Sequence, residues 1–104
     1  MKEEKIQLTH PAGKKLPRID KSKYDQMRKA ILDSLKKGPL THKQMHETIL
    51  RAFQKNKIKF EGAVEWYLEG VKLDLEATKQ IQRLNEKLPH RWQRVRGKGA
   101  NLEK

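Results

Sequence analysis

Apolar positions along this chain fall into three helical stretches and one alternating stretch. Tyr24, Met27, Ile31 and the Ser34-Leu35 pair recur at three- and four-residue steps, which predicts a helix over residues 21–37 with Lys23, Arg28, Lys29 and Lys36 toward water. Gly38-Pro39 stops it, and Leu40 reads as a short strand stub. Thr41-His42-Lys43-Gln44 has the form of a capping box, opening a second helix to about residue 55 with Met45, Ile49, Ala52 and Phe53 inside. Residues 56–62 read as a connection with Ile58 and Phe60 tucked inward. A third helix over residues 63–78 buries Val64, Tyr67, Leu68, Val71 and Leu75. Two short runs, 80–84 and 90–95, flank a turn-rich segment and predict a β-hairpin with Trp92 as a lid on the core.

A helix that runs straight into an Arg-rich hairpin is the ending of a winged helix-turn-helix. The expected fold class is therefore α+β: a three-helix winged helix-turn-helix with a C-terminal two-stranded hairpin as wing and an N-terminal arm. Residues 1–20 form that arm, 21–96 the domain and 97–104 a flexible tail. The arm carries Pro11, Gly13 and Pro17 without sustained periodicity. Its Ile6, Leu8, Leu16 and Ile19 are apolar enough to lie in a groove, and the stretch before Pro11 reads equally as docked or disordered.

The segments HPAGKKLPRIDKSKYDQMRKAIL, GPLTHKQMHETIL, WYLEGVKLDLEATKQIQRL and LPHRWQRV together resemble a family of small, functionally uncharacterised bacterial winged-helix proteins. The likeness spans roughly residues 10–96, and its most specific piece is VKLDLEA followed by the Pro-x-Arg-Trp strand. What the resemblance implies is the fold, with no substrate, cofactor or catalytic residue attached. One departure is Lys79-Gln80, where glycine often ends the third helix.

Charge narrows the partners. Among 104 residues, 25 Lys and Arg against 13 Asp and Glu give a formal net charge of +12, which favours polyanions through phosphate attraction and counterion release. With no cysteine there is no disulfide, thiolate metal site or cysteine nucleophile. No apolar run suits a signal peptide or a membrane helix, so a reducing cytoplasm is the expected location and no membrane partner is expected.

The charge is unevenly placed. Between residues 79 and 98 the cations Lys79, Arg83, Lys87, Arg91, Arg94, Arg96 and Lys98 face a single anion, Glu86. With Lys14, Lys15 and Arg18 of the arm, the wing residues from Arg83 onward form the candidate nucleic-acid surface, with duplex DNA favoured and little sequence specificity. The third helix goes the other way. Glu65, Glu69, Lys72, Glu76 and Lys79 share a polar face, and the side that would meet a major groove offers Trp66, Glu69, Gly70, Leu73 and Asp74. Carboxylates beside phosphates repel, so this helix is not expected to read bases. The apolar band Trp66, Gly70, Leu73 and Ala77 is instead a candidate protein-interaction surface, covered by the arm or by a second copy. That band carries the alternative reading, an interaction or homodimerisation module that does not read DNA.

Catalytic chemistry finds little footing. His42 and His46 stand at the i, i+4 spacing that lets two imidazoles share a metal, but no third ligand accompanies them in sequence, and Glu47 points off that face. No nucleophile–base order, phosphate-cradling loop or paired buried acid is evident. No enzyme activity, cofactor, metal or small-molecule substrate is expected.

Overall fold

The structure is a computed structural model, and it describes residues 4–84 and 89–95. It is α+β, with three helices and two small antiparallel sheets. In chain order the elements are β1 (Lys5–Gln7), β2 (Arg18–Asp20), α1 (Lys21–Ser34), β3 (Leu40–Thr41), α2 (His42–Lys55), α3 (Val64–Ala77), β4 (Ile81–Arg83) and β5 (Arg91–Arg94).

Local chemistry sets the helix ends. Thr41 Oγ1 accepts the Gln44 N–H at 3.1 Å while Gln44 Oε1 accepts the Thr41 N–H at 3.0 Å, the reciprocal capping box anticipated from sequence. The α2 and α3 C-termini share one motif. Ile58 N–H donates to Phe53 O and Lys57 N–H to Gln54 O; in the same way Gln80 N–H donates to Leu75 O and Lys79 N–H to Glu76 O. These are Schellman pairs, which require a left-handed residue after the cap. Lys57 (φ 54°) and Lys79 (φ 64°) occupy those positions without being glycine. The third helix thus ends on Ala77 despite Lys79 standing where glycine is common.

One apolar cluster joins all three helices. Met27, Ile31, Met45, Ile49, Leu68, Val71 and Leu75 are essentially inaccessible, and Ile81 and Trp92 close the cluster from the hairpin side. Trp92 is the lid expected of it, with its indole N–H directed to Glu76 Oε1 at 3.3 Å.

Several expectations are corrected. The sheet at the C-terminal end has three strands in the order β3-β5-β4, because the two-residue β3 adds to β5 through Leu40↔Trp92 and Thr41↔Arg91. The arm is a second hairpin: β1 pairs with β2 in the register Ile6↔Ile19, and Leu8 and Ile19 are core residues. Helix α1 stops at Ser34, ahead of the anticipated end, and the chain turns through residues 35–38. Ile58, expected inside, is 36% exposed. Residues 85–88, including Lys87, and residues 96–104, including Arg96, Lys98 and the expected tail, lie outside the described residues.

Candidate nucleic-acid interface

The hairpin register decides which cations act together. Residues paired across antiparallel strands share a face, and successive residues alternate. Ile81 pairs with Arg94 and Arg83 with Trp92, so Arg83 and Arg94 lie on the face that also carries the two buried apolar residues. Arg91 and Gln93 project from the opposite face, across from Gln82. The described wing cations, Arg83, Arg91 and Arg94, are therefore split between two faces and do not form one stripe. Arg83 reaches back to α3, its Nε 3.8 Å from Glu76 Oε2. Lys79, Arg83 and His90 border an open groove of about 520 Å³ between the end of α3 and the hairpin, with Glu76 its one carboxylate among the described residues.

The arm displays its cations on a shaped loop. Gly13 N–H donates to His10 O at 3.0 Å and Ala12 N–H to His10 Nδ1 at 2.9 Å, closing a turn in which Gly13 takes φ 80°. Gln7 Nε2 clamps the loop's far side through Leu16 O at 2.6 Å. Lys14, Lys15 and Arg18 are exposed and make no ion pair among the described residues.

The arm also lies on the side of α3 that was expected to face outward. Leu8, Leu16 and Ile19 pack against Gly70 and Leu73 across a small apolar cleft, and a Cβ on Gly70 would stand 3.0 Å from Leu8 Cδ1. Trp66 remains 52% exposed at the rim. Asp74, expected to point outward, is 4% exposed: its Oδ1 accepts the Thr9 N–H at 2.9 Å and its Oδ2 the Tyr24 hydroxyl at 2.7 Å. Burial, reinforced by that bond, pushes the Tyr24 hydroxyl well above its ordinary pKa.

Lys72 is a second correction. Expected on the polar face of α3, it is 4% exposed, with its ammonium 3.8 Å from the Trp92 ring centroid. The same ammonium lies 3.0 Å from His42 Nδ1 and 3.6 Å from Glu69 Oε1. Burial pulls its pKa below the usual lysine value, against the pull of Glu69 and its neighbours. His42 Nε2 stands 2.9 Å from Glu65 Oε2, and His46 Nδ1 is 3.4 Å from Glu65 Oε1. The histidines thus face α3, with the carboxylates that sequence spacing could not supply. His42, Glu65 and Glu69 place one ligand atom each within 4.8 Å of one another. That arrangement already holds the Lys72 ammonium.

Helix α2 and the segment after it carry cations that no motif announced. Lys43, Arg51, Lys55, Lys57 and Lys59 are exposed and make no ion pair among the described residues. The signal was present in the run from Arg51 to Lys59, four cations with no acid, masked by the stronger count in the hairpin.

A family model described as a family of unknown function (DUF6958) matches residues 5–92. The chain belongs to that family. No curated protein and no solved structure matches it. No described helix is long and apolar enough to cross a membrane.

Proposed function

We propose that this member of DUF6958 is a non-enzymatic nucleic-acid-binding protein of winged-helix architecture, contacting phosphates through its hairpin and arm and not reading bases with α3. The order α1-β3-α2-α3-β4-β5, with β3 closing onto β5, supports that architecture. Duplex DNA is the favoured ligand, with little sequence discrimination, because phosphate contacts position a protein without reporting sequence. The carrying observation is the groove bordered by Lys79, Arg83 and His90, set beside a chain whose outward α3 face is acidic and partly roofed by the arm. A helix presenting Glu65 and Glu69 is repelled by the backbone on either side of a major groove. The α2–α3 connection, from Lys55 to Val64, is also longer than the three- to four-residue turn that presents a recognition helix.

The test is a duplex titration at several salt concentrations. Replacing Arg83, Arg91 and Arg94 with Ala, or Lys14, Lys15 and Arg18 with Ala, is expected to weaken binding. Each should also flatten the log–log salt slope by about 0.9 per lost phosphate contact. Glu69→Gln is expected to leave affinity equal or raise it. Unchanged affinity and slope in both folded cation variants would overturn the reading.

A further inference from the structure

Sequence spacing offered the imidazoles of His42 and His46 without a third donor, and the fold supplies one. Thr41 caps α2 so that His42 is its first residue and His46 follows one turn on, while Glu65 lies in the first turn of α3. Glu65 reaches both rings: its Oε2 is 2.9 Å from His42 Nε2 and its Oε1 3.4 Å from His46 Nδ1. Donors around a tetrahedral zinc, with bonds of about 2.0–2.1 Å, sit roughly 3.3 Å apart, so both separations are those of neighbouring ligands on one ion. The side chains of His42, His46 and Glu65 are 27%, 30% and 56% exposed, which gives an ion a path from solvent and leaves room for water as a further ligand. Glu69 stands behind His42. Its Oε1 is 3.7 Å from Nδ1, the other ring nitrogen. A metal on Nε2 leaves the ring proton on Nδ1, and a carboxylate placed to accept that proton is the usual outer partner of a metal-bound histidine.

We propose that His42, His46 and Glu65 form a site for a divalent ion of the zinc class, which ties the start of α2 to the start of α3 while Glu69 orients His42. Two imidazoles and a carboxylate select that class, since Mg²⁺ and Ca²⁺ take oxygen ligands and the chain has no thiolate for softer ions. The Lys72 ammonium lies on the Nδ1 side of His42, at 3.0 Å, whereas Glu65 lies on the Nε2 side. The two lone-pair directions of an imidazole diverge, so the ammonium does not fill the metal position. It opposes the ion all the same. With the ring proton on Nδ1, Lys72 gives up that contact and keeps Glu69 at 3.6 Å and the Trp92 ring at 3.8 Å. The positive N-terminal ends of α2 and α3 add to the opposition, which sets the affinity in the micromolar range. The site shares no residue with the hairpin and arm, so this inference stands apart from the nucleic-acid reading.

Zn²⁺ itself is the probe, titrated by calorimetry into the chelator-stripped full chain without nucleic acid, with Mg²⁺ as the control ion. Imidazole nitrogen chemical shifts show which rings take the metal. Zn²⁺ is expected to bind one per chain, to shift His42 and His46, and to raise the thermal midpoint by about 5 °C at saturation. Mg²⁺ should do none of these. Glu65→Gln and His46→Ala should each weaken Zn²⁺ binding by more than about tenfold, and Glu69→Gln by about tenfold. Lys72→Met removes the opposing cation and should tighten binding. Glu65→Gln, at an exposed position, serves if His46→Ala does not fold. The absence of saturable binding below about 1 mM would overturn the proposal. So would wild-type affinity in folded Glu65→Gln, shifts confined to His10 and His90, or weaker binding by folded Lys72→Met.

Discussion

Asp74 is the polar residue on which the arm's placement turns, and removing its carboxylate gives a measurable prediction. The side chain is 4% exposed and bridges three parts of the fold: its own helix, the Tyr24 hydroxyl of α1 and the Thr9 N–H where the arm leaves β1. Each hydrogen bond to a charged acceptor contributes about 1.5–3 kcal/mol. Thr9 is exposed and Tyr24 half-buried, so water can partly rescue both donors once the carboxylate is gone. Asp74→Ala is therefore expected to cost about 2–4 kcal/mol, near the low end of the summed range. Asp74→Asn keeps one acceptor but turns an NH₂ group on a donor, and should cost about 1–3 kcal/mol. Tyr24→Phe should cost about 1–2 kcal/mol, and in the double variant with Asp74→Ala the two losses should fall short of additivity by about 1 kcal/mol. Urea unfolding at pH 7 measures all four species. Trypsin supplies a local readout, because Lys14 and Lys15 sit in the loop that Thr9 tethers. Asp74→Ala should speed cleavage there under native conditions, whereas Tyr24→Phe, which keeps the Thr9 bond, should change it little. A cost for Asp74→Ala below about 0.5 kcal/mol, or full additivity with Tyr24→Phe, would refute the bridge.

Two further outcomes follow from the fold. Lys57 and Lys79 hold left-handed conformations that suit glycine, so Lys79→Gly and Lys57→Gly should each be neutral or stabilising by up to about 1 kcal/mol in thermal melts, unlike glycine inserted mid-helix; a clear loss at both would contradict the assigned turns. Stability should also bend with alkaline pH. The Lys72 value is lowered from 10.5, so the folded state sheds that proton first and its stability rises with pH between the lowered value and 10.5. The Tyr24 value is raised from 10.0, so the stability it contributes is full below about 10 and declines as pH climbs toward the folded value. Lys72→Met should erase the rise and Tyr24→Phe the fall; a urea midpoint that follows the wild-type pH curve in both variants would refute the assignment.

The helices were legible because their apolar residues repeat with the helical period and because Thr41-x-x-Gln44 signs its own start. What sequence hid was any feature settled by distant partners. Charged residues are ordinarily placed outside, and nothing near Asp74 in the chain announces that residues 9 and 24 will donate to it. Lys72 is likewise buried by an indole twenty positions later. The arm's strands are three residues each and separated by two prolines, too short for alternation to show. At the candidate interface, composition located the basic hairpin but not its division between faces, which depends on the β4–β5 register. The acidic face of α3 was legible as carboxylates at helical spacing. Its actual partners, His42, His46 and Lys72, required the fold.

Those pairings explain where the positive charge of this chain ends up. Asp20 takes Lys5 and Lys23, Asp25 takes Lys21, and Asp33 takes Lys29. Glu76 faces Arg83, and Asp74 is buried against neutral donors. Glu65 and Glu69 are engaged by the His42 cluster. Most described carboxylates are thus spent holding the arm, α1 and α3 in place, and few remain to offset the cations elsewhere. The net charge of +12 is therefore concentrated at the arm loop, the hairpin and the outer end of α2.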